Sequence, residues 1–505
     1  MVGRLTISLG KSHESSRRPV EATDGSDTES FRIVVLGNFS GRASGTAAAH
    51  PIKLPQRIDI DSLDAVLARL TSGMRLMLPG AAGDVIEVSI RSMEDFEPDA
   101  LFLRHPLFAR LRELRSRLAD PATFEAAATE MQTSDVSVAP PPSVEDDKAT
   151  LARLLGSATG GLPPTAAKSI TGLPASLDRL LRSSLAPHIR PATAHLQQPL
   201  LDALDRAVSD VMRQFLRHPT WRNVEASWRC VDKFLRTVDA RNVTLEVLDV
   251  QVADLASVLG DPHANLMSAE LVRLLDPQSR GEGHSVRPAV VVGLYEFGSG
   301  NDDLALLSAL AAACSELGSV LLASAAPDLV APHLAGLQAQ PSSDTANPGH
   351  PSVWQRLRAL DSARHVALFY PGVLGRLPYG PRDQPVESFA FEELGDGPSH
   401  DRLAWRSAAL DAAALLAQAF AEEGRYFGPE THTSLGEFPA FVDRSQSEPR
   451  LQACAETYWS ERQLAEISGL GIIPLISDAR LPRVRLGHWR SIAADGAPLQ
   501  GCWCT

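Results

Sequence analysis

The chain has 505 residues, a hydrophobic fraction of 44%, a charged fraction of 22% and a net charge of −13. This length predicts roughly three domains with ample core, and the composition is that of an ordinary globular protein. The acidic balance argues against nonspecific nucleic-acid binding, and the sequence contains no apolar run long enough to insert into a membrane. Since the N-terminus also lacks the apolar core of a signal peptide, we expect a soluble, cytoplasmic protein.

Residues 1–30 are predicted to form a mobile N-terminal arm, because most of this segment is polar and charged. Within it, Leu5, Ile7 and Leu9 alternate with polar residues over positions 4–9, which predicts a short strand. A strand that is isolated from any sheet in the sequence is suited to pair with another element or with another chain.

Residues 31–36, FRIVVL, form a continuous apolar run that predicts a buried strand. The loop after this strand contains Gly37 and Gly41, and glycines at a strand end are also found in phosphate-binding loops. The loop lacks the spacing and the lysine of the G-x-x-x-x-G-K-[ST] motif, so no side chain would neutralise a β- or γ-phosphate. A plain turn is therefore favoured over a nucleotide site.

The segment 31–130 has the elements of a small domain. Its patterns predict a helix over 63–70, a strand over 85–90 and a second helix from Pro98 to about Leu118. The second helix has a basic face, formed by Arg104, Arg110, Arg112, Arg115 and Arg117. This face is either solvated, with pairing to Glu113 inside the helix, or it is a surface for a partner.

Residues 131–190 are predicted to be a linker with short amphipathic helices, because prolines, glycines and an acidic run interrupt this segment. Residues 148–155 have the pattern of such a helix. A short helix between two linkers either docks on a partner or packs on the larger unit that follows.

Two amphipathic helices joined at a His-Pro pair, residues 218–219, begin the larger unit, which is predicted over 191–505. On the second helix, Val224, Trp228 and Val231 recur at helical spacing, so this helix must bury one face. Because the hairpin carries no reactive constellation, we interpret it as an assembly element.

Beyond this hairpin, strand and helix patterns alternate. Strands are predicted over 244–250, 288–294, 320–324, 365–370 and 471–477, and helices over 252–259, 303–317, 402–420 and 461–468. This alternation predicts an α/β fold of the mixed α+β kind, in which helices cover mixed or parallel sheets. At the end of the chain, residues 482–486 and 498–503 are predicted to pair as a hairpin.

No catalytic signature links the reactive residue types, since neither G-x-S-x-G nor H-E-x-x-H occurs, and an enzyme is not predicted. The densest ionisable cluster is Glu392 and Glu393 with His400. Adjacent carboxylates on an extended segment point to opposite faces, so we interpret this cluster as structural or interfacial. Arg376 and Tyr379 lie in a rigid turn rich in proline and glycine, and interfaces favour such residues.

The five cysteines are too few and too scattered for a disulfide framework. Cys230, Cys314 and Cys454 lie in periodic segments and are interpreted as core residues. Cys502 and Cys504 form a single C-x-C pair, and a zinc site needs a second pair of ligands. No metal or other cofactor is predicted.

Several longer motifs resemble those of one protein family. The small contractile-sheath subunit of type VI secretion systems is similar to RIVVLGNFSGR at 32–42, RIDIDSLDAVLARL at 57–70 and SMEDFEPDALFLRHPLFARLRELRSRL at 92–118. The large sheath subunit is similar to FLRHPTWRNVEASWRCVDKFL at 215–235, LYEF at 294–297, ARHVALFYPGVLGRLPYGP at 363–381, PVESFAFEE at 385–393 and GLGIIPLIS at 469–477. By this resemblance, the chain is a natural fusion of the two subunits.

The resemblance implies that protomers stack into a helical sheath around an inner tube protein, that strands are swapped between neighbours, and that contraction drives effector delivery. It also implies a baseplate and an AAA+ unfoldase as partners. We expect contacts between protomers to involve Leu5, Ile7, Leu9, Arg229, Arg376, Tyr379, Glu392, Glu393, Val484 and Leu486. Two alternatives stay open: a non-polymerising scaffold or baseplate accessory with the same fold, and, less favoured, a nucleotide-binding enzyme.

Overall fold

The computed structural model describes residues 30–42, 54–78, 85–133, 197–239, 242–258, 264–277, 286–336, 352–395, 400–444 and 447–504. The strand predicted at 4–9, with Leu5, Ile7 and Leu9, lies outside these residues, as does the helix predicted at 148–155. Among the described helices, none is both long and apolar enough to cross a membrane.

The described residues form fifteen strands and thirteen α-helices. The strands are β1 (Phe31–Gly37), β2 (Gln56–Ile58), β3 (Met74–Leu76), β4 (Ile86–Val88), β5 (Val243–Asp249), β6 (Val290–Phe297), β7 (Val320–Ala325), β8 (Val366–Tyr370), β9 (Val373–Leu374), β10 (Trp405–Arg406), β11 (Ser434–Glu437), β12 (Val442–Asp443), β13 (Arg450–Leu451), β14 (Ile473–Ser477) and β15 (Arg483–Leu486). The helices are α1 (Leu63–Leu70), α2 (Pro98–Arg104), α3 (Ala109–Ala119), α4 (Phe124–Thr133), α5 (Gln197–Leu216), α6 (Pro219–Thr237), α7 (Val252–Val258), α8 (Ala264–Leu275), α9 (Asn301–Leu317), α10 (Pro327–Gly336), α11 (Val353–Arg358), α12 (Ala409–Glu423) and α13 (Glu461–Gly469).

A nine-stranded sheet with the order β11-β15-β14-β8-β7-β6-β1-β5-β2 lies at the centre of the described structure. Its inner strands, from β5 through β1 to β14, are parallel. The outer strands β2, β15 and β11 are antiparallel to their neighbours. Helices pack on this mixed sheet, which confirms the α/β fold class predicted from the alternating patterns.

Strand β1 lies between β5 and β6, and all seven of its residues are buried. It pairs in parallel with both neighbours, so that Ile33 faces Leu245 on one side and Val290 on the other. The segments 31–130 and 191–505, which the sequence divides into two domains, therefore contribute strands to one sheet. The domain boundaries themselves stay a prediction.

The alternation of side chains along β1 connects the two hydrophobic cores of the protein. Ile33 and Val35 belong to a core that includes residues of α5, α6 and α12. Val34 and Leu36 belong to a second core, with residues of α8 and α9. Because neighbouring residues of a strand point to opposite faces, a strand covered on both faces needs the unbroken apolar run seen here.

The basic face around α3 is used mainly within the chain. Arg115 pairs with Asp205 on α5 at 2.7 Å, and Arg110 and Arg117 both pair with Glu130 on α4. Arg110 also contacts Glu113, as predicted, at 3.3 Å. Of the other two arginines, Arg104 pairs with Asp95, while Arg112 donates to the backbone carbonyls of Phe102 and His105. These contacts attach α3 to its neighbouring helices.

Two helix predictions need correction at their boundaries. The helix predicted from Pro98 to Leu118 is divided by a 3-10 turn at Pro106–Phe108, since Pro106 has no N–H to donate to the preceding turn. The helix predicted over 402–420 begins only at Ala409, because residues 405 and 406 pair with β9 instead.

The predicted pairing of residues 482–486 with residues 498–503 is wrong. Strand β15 contains Val484 and Leu486 and lies between β14 and β11. Near the end of the chain, the Gln500 N–H donates to the Arg364 carbonyl, and the Trp503 ring packs on Phe427 at 5.0 Å. Period-two alternation marks a strand but carries no information on its partner.

Candidate functional site

The hairpin of α5 and α6 holds the loop that follows β1. His218 caps α6, since its Nδ1 accepts from the Thr220 N–H at 3.2 Å, and Pro219 occupies the first helical position. Trp228 on α6 is fully buried, and its indole N–H donates to the Phe39 carbonyl at 3.0 Å. The hairpin is thus a buried packing element that anchors β1 from one face of the sheet.

The loop over 37–41 is filled by protein groups. The N–H groups of Phe39 and Ser40 both donate to the Asp249 carboxylate at 3.0 Å. Gly41 has a φ of 66°, and a Cβ there would lie 2.7 Å from atoms of the Met74 side chain. Because the carboxylate already occupies the amide donors that would bind a phosphate, the geometry supports the plain turn.

A buried charge cluster joins α6 to the turn that follows β9. We define it as Glu225, Arg229, Arg376, Tyr379 and Glu393. The Arg376 guanidinium donates to both oxygens of Glu393, at 2.7 and 2.9 Å, and to Glu225 Oε1 at 2.7 Å. Arg229 donates to Glu225 Oε1 at 2.8 Å and to the Tyr379 hydroxyl at 3.1 Å. Arginine forks of this kind fix both the distance and the orientation of their partners.

The electrostatics of the charge cluster keep Glu225 and Arg376 ionised. Burial by itself raises the pKa of Glu225, but the guanidinium groups of Arg376 and Arg229 hold that pKa below its usual value. Burial lowers the pKa of Arg376, and the carboxylates of Glu225 and Glu393 more than offset it, so the pKa is raised. Burial raises the pKa of Tyr379 to about 12. Glu225, Arg376 and Tyr379 therefore each keep one protonation state near neutral pH, which suits a structural role.

The structure places the predicted site residues in three different settings. Arg229, Arg376, Tyr379 and Glu393 come together in the charge cluster. The neighbouring Glu392 is exposed, as expected for adjacent residues of an extended segment. Of the remaining predicted residues that the structure describes, Val484 and Leu486 are buried in β15.

Glu225 is the member of the charge cluster that the sequence reasoning missed. It lies four residues before Arg229 on α6, a spacing at which opposite charges pair on a helix. That spacing was a usable signal. Its contact with Arg376, across 151 residues of chain, has no such local signal.

Arginines of the α5–α6 hairpin also bind backbone carbonyls of residues 392, 393, 401 and 403. Arg213 donates to the Glu392 carbonyl and Arg217 to the Glu393 carbonyl, each at 2.8 Å. Arg222 donates to the carbonyls of Asp401 and Leu403. Since a segment without regular structure has unpaired carbonyls, these contacts explain how it keeps one conformation beside the helices.

A second buried ion cluster lies beside α12. Arg406 forms a bidentate pair with Asp411, and Lys233 of α6 contacts the same carboxylate at 2.7 Å. Burial raises the pKa of Asp411, but Arg406 and Lys233 hold that pKa below its usual value. The Cys230 thiol lies 3.3 Å from Arg406 Nη1. Within the described residues, no group of three or more His, Cys, Asp and Glu side chains is arranged to hold a metal ion.

The buried charge cluster predicts a modest effect for Tyr379→Phe. This variant keeps the ring beneath the Arg376 guanidinium, 4.3 Å from the ring centroid, and removes only the hydroxyl that accepts from Arg229. We expect a loss of about 0.5–1.5 kcal/mol in the free energy of unfolding. Chemical denaturation measures it, and an unchanged midpoint would mean that the hydroxyl contributes nothing to the cluster.

Comparison with known proteins supports the division seen in the motifs. The VipB family, a tail sheath N-terminal domain, matches residues 198–486, which is more than half of the chain. The VipA family of the type VI secretion system matches residues 22–132. The type VI secretion system sheath protein TssC1 of Pseudomonas aeruginosa is 24% identical over 287 residues, which cover 55% of this chain and 58% of that protein.

The two family matches lie one after the other along the chain and meet in one sheet, since β1 falls in the VipA match and its neighbours β5 and β6 fall in the VipB match. The chain therefore belongs to the type VI secretion sheath family and is a fusion of the small and large sheath proteins.

Proposed function

We propose that this protein is a structural subunit of a contractile sheath, in which copies polymerise around an inner tube and contract to drive effector delivery. The observation that carries the proposal is β1, which belongs to the small-subunit segment and lies between β5 and β6 of the large-subunit segment. A single chain that carries both segments can supply both to one protomer. The baseplate and an AAA+ unfoldase are proposed as further partners, and the cytoplasm as the location.

We propose strand exchange as the contact between protomers. The donor is the strand predicted at 4–9. The outer edge of β11, which pairs with no further strand among the described residues, is a suitable acceptor because a backbone edge binds an added strand. Val484 and Leu486 then act indirectly, by holding β11 through β15. A strand of about five residues adds several backbone hydrogen bonds, each with a net contribution of about 0.5–1.5 kcal/mol.

Contraction needs only a small preference per protomer. When copies are linked in a continuous lattice, a slight bias of each protomer for the contracted packing is summed over the whole tube. The rigid, doubly covered sheet suits this role, because packed cores transmit displacement instead of absorbing it.

Electron microscopy of the purified protein tests polymerisation. Tubes or rings are the expected result. A monodisperse monomer that persists at high protein concentration would contradict the proposal and favour a scaffold or baseplate accessory.

Deleting residues 1–10 tests strand exchange. We expect loss of tubes with a nearly unchanged melting temperature, because the donated strand contributes to contacts between copies and not to the core of its own chain. A full-length variant with Leu5, Ile7 and Leu9 replaced by serine is the matched control for chain length and should behave like the deletion. Normal assembly of both variants would exclude this segment as the donor.

A further inference from the structure

A cavity of about 370 Å³ opens at the carboxyl ends of β1, β5 and β6. Asn38 and Gln251 follow the first two of these strands, Glu296 lies near the end of the third, and α6 and β10 complete the wall. A cavity of this volume is within the range of small-ligand sites.

The cavity lies where the chain leaves neighbouring strands toward opposite faces of the sheet. The connection from β1 to β5 includes α6, whose residues belong to the core of Ile33 and Val35. The connection from β5 to β6 includes α7 and α8, whose residues belong to the core of Val34 and Leu36. In open parallel sheets, ligands bind in the crevice at such a reversal, outside the carboxyl ends of the strands.

The Glu296 side chain is exposed and lines the cavity without an ion-pair partner among the described residues. Within the described ranges, no arginine, lysine or histidine forms an ion pair with it. Partial desolvation by the cavity walls and the nearby Glu456 carboxylate both raise the pKa of Glu296. Glu456 has its own partners, since it accepts from the Gly372 N–H at 2.9 Å and lies 3.2 Å from His400 Nε2. Bringing a cation to Glu296 would therefore relieve a local excess of negative charge.

The other charged side chains near the cavity already form ion pairs within the protein. Arg406 also lines the cavity, but its guanidinium pairs with Asp411, which in turn binds Lys233. This ion cluster lies on the wall formed by α6 and β10. Glu296, on β6, is the other charged side chain among the described residues that line the cavity.

The uncharged lining suits a planar or alkyl cation. The amide side chains of Asn223 and Gln251 offer oxygen acceptors for N–H groups. The Trp405 ring also lines the cavity, and the face of an indole attracts a cation. Its indole N–H donates to the His400 carbonyl at 2.9 Å, which fixes the ring in place.

We propose that this cavity is a binding site for an organic cation, a guanidinium or alkylammonium group, with Glu296 as its counter-ion. The cation comes either from a free small molecule or from an arginine or lysine side chain of a second copy of this chain. The site is distinct from the buried charge cluster, and nothing in its geometry depends on strand exchange or contraction.

Isothermal titration calorimetry with L-arginine and L-citrulline tests the site, because the two probes have the same shape and differ in the charge of the terminal group. We expect arginine to bind and to raise the melting temperature, and citrulline to do neither. Glu296→Gln should weaken arginine binding at least tenfold without lowering the melting temperature of the unliganded protein. The exposed carboxylate of Glu422 on α12 offers a control, Glu422→Gln, that should bind arginine like the wild type.

The source of the cation is distinguished by light scattering of the same samples. If a second copy supplies it, Glu296→Gln and added arginine will both reduce self-association, whereas citrulline will not. If a free molecule supplies it, self-association will be unchanged and only the calorimetric signal will be lost in the variant. Equal effects of arginine and citrulline, or arginine binding that survives Glu296→Gln, would overturn the proposal.

Discussion

Residues 143–505 expressed alone should not form a stable fold. Without β1, β5 and β6 lose the strand that pairs with both of them, and each core loses side chains of that strand. Five apolar side chains of β1 are almost fully buried: Phe31, Ile33, Val34, Val35 and Leu36. At about 1.5–3 kcal/mol for each such side chain, the lost burial is on the order of 10 kcal/mol, comparable with the whole stability of a typical domain.

Solubility, circular dichroism and thermal unfolding measure this effect. The matched control is co-expression of residues 1–142 with residues 143–505, which should restore a stable complex because the same strands then meet between two chains. A soluble 143–505 fragment with cooperative unfolding close to that of the full chain would show that β1 is dispensable.

Arg376→Met should cost about 3–5 kcal/mol of the free energy of unfolding. Methionine fills a similar volume but leaves Glu393 without its bidentate partner and Glu225 with Arg229 alone. A carboxylate buried without its counter-charge is strongly destabilising, whereas the same pair on the surface contributes little. The matched control is Arg444→Met, since Arg444 is exposed and lies 4.0 Å from Asp383.

A compensating variant separates the loss of charge pairing from the loss of packing. Adding Glu225→Gln and Glu393→Gln to Arg376→Met removes the unpaired carboxylates, so part of the lost stability should return. Urea denaturation of the single and triple variants measures the stability that returns. A triple variant less stable than Arg376→Met would contradict the electrostatic account.

The same charge cluster predicts a dependence on pH. Because the pKa of Glu225 is lower in the folded protein than its ordinary value, its contribution is present above that ordinary value and is lost as the pH falls through the folded-state pKa. The wild type should therefore lose stability in acid below about pH 4.3, the ordinary glutamate value. In Glu225→Gln, the free energy of unfolding should fall less steeply as the pH is lowered. The same fall in both proteins would mean that the charge cluster does not cause the loss of stability in acid.

Much of the candidate site could be named from the sequence, but its connections could not. Arg376 and Tyr379 stood out because a rigid turn presents them, and Glu393 because it belongs to a dense group of ionisable residues. The sequence did not indicate that these residues face Glu225 on α6, since that contact joins distant parts of the chain. The cavity at Glu296 was also missed, because its walls come from β6, β10, α6, α7 and the segments that follow β1 and β5, which are distant in the sequence.

The strand errors have a related cause. Residues 482–486 were correctly predicted as a strand, yet their partners are β14 and β11 instead of residues 498–503. A strand leaves both edges open to any segment with a matching face, so local alternation cannot choose between partners. The predicted start of α12 was wrong because residues 405 and 406 pair with β9 instead of joining the helix.

The amino-acid sequence by itself determined the type of most elements, the α/β class and the sheath family, because periodicity and short motifs are local properties. Only the tertiary structure decided that β1 enters between β5 and β6 and makes the two sheath halves one sheet. The apolar run of β1 requires burial on both faces, but the hydrogen-bonding groups along its backbone edges do not specify which strands pair with it. The choice of neighbours depends on the packing of both cores at once, which no single segment encodes.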